Sequence, residues 1–97
     1  MQEWYIYIVR TAQDTLYTGI ATDVSRRLAE HDGADERGSK YLRSRGPLEI
    51  AYTTKIGSRS LALKVERCIK RLSRRRKEKI VTTTPPAEEL LSFLGLS

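Results

Sequence analysis

The chain has one cysteine, one histidine and no asparagine among its 97 residues. A single thiol, Cys68, cannot form an internal disulfide and is too few for a cysteine-rich zinc site. No stretch approaches the roughly 18 apolar residues that a membrane-spanning helix needs. The opening residues, with Gln2, Glu3 and Trp4, are not those of a secretory leader. A cytoplasmic address with no membrane partner is therefore expected. Also missing are a glycine-rich phosphate loop, paired histidines at helical spacing, a Gly-x-Ser-x-Gly elbow and a close acidic pair. Chemistry with two metal ions wants several carboxylates together, and the chain offers no such cluster.

What is present fits one modest core and one domain, residues 1–97, with its body over 3–82 and a C-terminal helix over 85–94. The net charge of +6 is concentrated. Lys64 to Lys79 holds nine Lys/Arg against two Glu, whereas the rest of the chain holds nine positive and ten negative groups. One basic segment on a near-neutral body suggests a polyanion, with nucleic acid the natural candidate; the plain alternative is a solvated helix face.

The apolar pattern is regular. Trp4, Ile6 and Ile8 alternate with Tyr5, Tyr7 and Val9, and residues 16–21 alternate likewise across the polar link "TAQDT", which predicts a β-hairpin. Pairing Tyr7 with Gly19 and Val9 with Tyr17 puts both tyrosines and the glycine on one face. The missing side chain would leave a hollow beside the Tyr7 ring, where a substrate could approach the backbone. Thr22 or Asp23 caps a helix over "DVSRRLAEH", ended by Asp32 and Gly33, and residues 32–47 read as a polar loop. "LEIAYTT" (48–54) is a third strand. Gly57 and Ser58 start a helix with a stripe at Leu61, Val65, Cys68, Ile69 and Leu72. Ser73 caps a basic helix, "RRRKEKIV". Thr84, followed by Pro85 and Pro86, begins a last helix, "AEELLSFL", that stops at Gly95. The order ββαβααα gives an α+β fold: a small mixed or antiparallel three-stranded sheet flanked by helices.

Three of the five tyrosines crowd into the hairpin, and a hydroxyl in a core needs a partner. On the first helix Val24 and Leu28 mark the buried side, with Arg27 and His31 at its edge and Arg26 and Glu30 facing away. Arg27 and His31 are either functional, or a snorkelling arginine and an imidazolium complementing the helix C-terminus. Glu66 lies about 115° from the centre of its helix's apolar stripe, on the flank. It is either a functional acid or an i, i+4 partner of Lys70. Cys68 reads as a small core residue.

Taken in order, Tyr5-Ile6-Tyr7, Tyr17-Thr18-Gly19, Arg27, His31 and Glu66 resemble the motifs of the GIY-YIG endonuclease family. The whole chain, with "LYTGIATDVSRRLAEH" and "RSLALKVERCIKRLSRRRKEKIV", is similar to its short single-domain bacterial YhbQ-like branch. The resemblance implies a metal-dependent endonuclease that hydrolyses DNA phosphodiesters, acting in DNA repair or nucleic-acid turnover on single-stranded or branched DNA. It implies Tyr7, Tyr17, Arg27 and His31 as catalytic residues and Glu66 as the sole carboxylate ligand of one divalent cation, Mg²⁺ with Mn²⁺ as substitute. Gly19 matches the motif glycine, and Lys70, Arg74, Arg75 and Arg76 are expected to bind the strand. In this scheme Arg27 offers planar donors to the phosphate and Tyr17 handles the attacking water, which its free pKa near 10 allows only beside cations. The chain departs from the family in three places. Tyr5 stands for the leading Gly, Ile20 stands where several members have Lys, and the late Asn has no counterpart, which implies weaker cleavage. A non-catalytic nucleic-acid-binding module on the same scaffold is the alternative.

Overall fold

The computed structural model describes residues 2–30 and 48–97. His31, Asp32, Gly33 and the expected loop over 32–47 lie outside the described residues. Strands β1 (Trp4–Arg10), β2 (Leu16–Ala21) and β3 (Glu49–Gly57) form one sheet in the order β2-β1-β3, antiparallel at both junctions. Among the described residues four helices accompany it: α1 (Val24–Ala29), α2 (Arg59–Lys70), α3 (Arg74–Thr83) and α4 (Ala87–Phe93). The fold is α+β, as expected, and wholly antiparallel.

The hairpin register is the expected one, Tyr7 opposite Gly19 and Val9 opposite Tyr17. Its turn is closed by Thr11, whose amide donates to the Thr15 carbonyl at 2.9 Å and whose hydroxyl meets that of Thr15 at 2.5 Å. Asp14 takes the left-handed conformation there (φ 65°), which a short polar side chain tolerates better than most. β3 runs three residues past the expected Thr54, because Lys55 and Gly57 continue to pair with Tyr5 and Trp4. Gly57 leaves the sheet at φ 121°, a conformation open to glycine, and Ser58 caps α2 by accepting the Leu61 amide at 3.2 Å.

Both faces of the sheet are covered. Ile6 and Ile8 point to one side, where they meet Tyr52, Val65, Ile69, Ile80 and Leu90, so β1, β3 and helices α2, α3 and α4 share one core. On the other side Tyr7, Val9 and Ala21 pack with Tyr17, Val24, Leu28 and Leu48. The central strand is thus buried on both faces, which explains why its run from Ile6 to Val9 is unbroken by charge.

Two sequence expectations need correcting. The stripe of α2 is centred on Ala62, Val65 and Ile69, all buried, and Cys68 is only partly covered at its margin. Thr84 closes α3 in the left-handed conformation (φ 42°), and Pro86 stands at the N-cap of α4. The residue before a proline is pushed out of the helical region, so Pro85 ends α3 at Thr84. The Tyr52 hydroxyl donates to the Pro85 carbonyl at 2.6 Å and fixes this link to the sheet.

Candidate active site

Tyr7 is 2% exposed, and its ring lies flat over Gly19. A Cβ built on Gly19 would meet the Tyr7 hydroxyl and stand 2.6 Å from Cζ and 3.1 Å from Cε2. The expected hollow is therefore filled by the tyrosine itself. Gly19 makes room for the ring, and the ring carries its hydroxyl to the open edge of β2. That hydroxyl is hydrogen-bonded to the Arg27 guanidinium. Burial, with the neighbouring Tyr17 and Glu66 charges adding to it and Arg27 opposing, pushes the Tyr7 hydroxyl up to about 12. Tyr7 thus keeps its proton at neutral pH and acts by hydrogen bonding.

Arg27 leaves α1 toward this point. Burial works against its charge, but hydrogen bonds to Glu30 (3.0 Å) and Tyr7 outweigh that cost and hold the guanidinium's pKa upward. Asp23 starts the helix by accepting the Arg26 amide at 3.1 Å. From the other side, Glu66 comes from α2. With the stripe centred as observed, Glu66 lies about 65° from its middle, not 115°, counting 100° per residue. Its carboxylate is 21% exposed and accepts the Lys70 ammonium at 3.4 Å. The Lys70 ammonium also sits 6.0 Å from the centre of the Tyr17 ring. The i, i+4 pair anticipated as the plain alternative is formed, within the same cluster.

Tyr7, Gly19, Tyr17, Arg27, Glu66 and Lys70 are thus gathered at the β2 edge, between α1 and α2. The basic helix differs. Arg74 binds Glu78 (2.8 Å) and Asp14 (3.3 Å), both shared with Arg10, which forks onto Glu78 at 2.8 and 3.1 Å. This four-charge network holds Glu78 at a pKa of about 2 and ties α3 to the hairpin turn. Arg76 lies over the Phe93 ring at 4.9 Å, and Arg75 is exposed.

Glu30 was missed. It was expected to face away with Arg26, yet its side chain is 12% exposed and receives both Arg27 and Arg26, the latter at 3.7 Å. Helix α1 lies beside the edge strand, so the side turned from Val24 and Leu28 looks across a groove toward α2. The groove, about 440 Å³, is lined by Trp4, Arg26, Arg27, Glu30, Arg59 and Leu63, among others. The i, i+3 and i, i+4 spacing of Glu30 from Arg27 and Arg26 was the available signal.

No group of three or more His, Cys, Asp or Glu side chains able to enclose a metal occurs among the described residues. The donor set still fits a hard cation of the Mg²⁺ type, which keeps most of its waters and needs only one or two carboxylates. Glu66 is the partly exposed carboxylate that the cluster offers. No helix among the described residues is long and apolar enough to cross a membrane.

A tyrosine of the central strand, one of the edge strand, an arginine from the next helix and an acid from a later one thus meet at one edge of a small α+β scaffold. The chain belongs to the GIY-YIG family: the family model, described as the GIY-YIG catalytic domain, matches residues 3–79. It is 48% identical to the UPF0213 protein YhbQ of Salmonella arizonae over 94 residues, 97% of this chain and 92% of that one. It is 46% identical over the same span to the protein of that name from Escherichia coli O8. Among solved structures it is similar to the solution structure of the UPF0213 protein BH0048 from Bacillus halodurans, at 38% identity and a TM-score of 0.55, covering 84% of both chains.

Proposed function

We propose that the protein is a metal-dependent endonuclease that hydrolyses DNA phosphodiester bonds, in repair or nucleic-acid turnover. The observation that carries this reading is the convergence of Tyr7, Tyr17, Arg27 and Glu66 from four elements onto one edge of the sheet. Packing alone has no need for an acid, a guanidinium and two phenols at one spot.

The roles follow from the chemistry of each group. Arg27, fixed by Glu30, offers its remaining planar donors to the non-bridging phosphate oxygens as charge builds on them. Tyr7, neutral and held by Arg27, positions phosphate or water. Tyr17, beside the Lys70 ammonium, orients the attacking water and, as the phenolate, takes its proton. Glu66 would hold Mg²⁺ or Mn²⁺, and Lys70 must then swing from the carboxylate toward the strand. Bound there, the cation would stabilise the charge of the leaving oxygen. His31 keeps its proposed part as proton relay or support for Tyr17.

The test is incubation with single-stranded, duplex and branched DNA plus Mg²⁺ or Mn²⁺, with and without chelator. Cleavage that the chelator stops, and that Glu66→Gln removes while DNA still binds, is the expected result. Normal cutting by Glu66→Gln would leave the acid only a partner of Lys70. A second reading, a nucleic-acid-binding module without cleavage, draws on the 3.4 Å Lys70–Glu66 pair, which already satisfies the carboxylate. It would prevail if wild type binds DNA and never cuts it.

A further inference from the structure

Trp4 is the only tryptophan in the chain and belongs to neither apolar cluster of the core. An indole placed for packing would sit inside one of them. Trp4 instead stands partly exposed at the start of β1, between two hollows. One is the groove described above; the other, of about 470 Å³, is lined by Gln2, Glu3, Gly57, Ser58 and Arg59. The Arg59 guanidinium, exposed at the first turn of α2, lies over the indole at 5.5 Å from its ring centre.

We infer that Trp4 and Arg59 form a stacking subsite for an unpaired base of the DNA strand whose phosphodiester lies at the tyrosine cluster. This rests on the reading of the protein as acting on nucleic acid. An indole face and a guanidinium plane are side-chain surfaces on which bases stack without regard to sequence. The floor of the groove between them and the cluster supplies phosphate partners. Arg26, Arg27 and Arg59 face two carboxylates, and both carboxylates are already engaged: Asp23 by the Arg26 amide, Glu30 by Arg27 and Arg26. A duplex base pair has both faces covered by its neighbours and could not enter.

The single tryptophan makes the subsite directly visible. Wild-type protein in chelator, so that nothing is cut, is titrated with an eight-nucleotide oligothymidylate and with an abasic phosphodiester of the same length. Indole fluorescence should be quenched by the first and left unchanged by the second, and a fully paired hairpin should not quench it. Anisotropy of a labelled oligomer should show Trp4→Leu, which keeps apolar bulk at the strand end, weakening binding by about ten- to one-hundred-fold. Arg59→Gln should lower affinity less. Equal quenching by the abasic strand, binding without quenching, or no binding by any oligomer overturns the subsite. Cleavage by wild type in Mg²⁺ is measured separately, so a protein that cuts DNA with a silent indole refutes this inference alone, and a quenched indole without cutting refutes only the nuclease.

Discussion

Replacing Gly19 with alanine should harm this protein through one ring. The Gly19 backbone has no positive φ, so alanine suits it, and on the unfolded-state account the change should stabilise by about 0.4–1 kcal/mol. The new Cβ, however, would stand 2.6 Å from Tyr7 Cζ, where ordinary contact begins at 3.4 Å. The ring must retreat by about 0.8 Å, inside a core cluster with Val9 and Ala21. Overpacking of this kind costs about 1–3 kcal/mol, so a net loss of up to roughly 2.6 kcal/mol is expected. For a domain of this size the melting temperature should fall by up to about 20 °C. The hydroxyl, at the far end of the ring, moves off Arg27 by a similar distance, and a misplacement near 1 Å should lower cleavage by about 100-fold. The assay is a double-mutant cycle by denaturant unfolding. In a Tyr7→Leu background, Gly19→Ala should be neutral or stabilising, giving a coupling of at least about 1 kcal/mol. Additive losses in the two backgrounds would refute the steric account.

Tyr17→Phe should lower cleavage by about 10²–10⁴-fold, and Tyr7→Phe by less, in single-turnover assays, with melting temperatures barely altered; near-wild-type cutting by Tyr17→Phe would remove it from proton transfer. Tyr52→Phe should cost about 1 kcal/mol in urea unfolding, because the 2.6 Å hydrogen bond to the Pro85 carbonyl is lost while the ring remains. Glu78, held at about 2 against an ordinary value of 4.5, contributes stability that is fully present above pH 4.5 and is lost as pH falls toward 2. Acid titration of thermal stability should therefore show a steeper drop between pH 5 and 2 in wild type than in Glu78→Gln, and parallel curves would count against the Arg10–Glu78–Arg74 network.

The strands and the hairpin register were readable because side-chain alternation in a strand has a period of two, and a slip by one residue would have turned Ile6 and Ile8 into the wrong core. Residue identity could not say that Gly19 faces a filled space, since a glycine reads alike whether it opens a hollow or admits a ring. Glu66 looked peripheral because Leu61, Cys68 and Leu72 drew the stripe away from Ala62, whose small side chain carries little apolar weight yet is fully buried. Glu30 was turned outward with Arg26, which is exposed as expected, by a helical wheel that knows one neighbour per helix, whereas α1 has the sheet on one side and a groove on another. The basic run read as one surface. Two of its arginines, Arg74 and Arg76, reach the hairpin turn and Phe93, partners 60 residues upstream and 17 downstream that spacing alone cannot supply.

The cluster at the β2 edge has a consequence for the order in which the protein becomes competent. Tyr7, Tyr17 and Arg27 come from one contiguous stretch that needs only a hairpin and a short helix, contacts of low sequence separation that form early. Glu66 comes from a helix that follows β3, and it reaches the phenols only when α2 docks. A nascent or partly unfolded chain therefore carries the arginine and the two phenols without their acid. On the nuclease reading proposed above, such a chain lacks the acid that cutting needs, so hydrolysis would be reserved for molecules whose folding is complete.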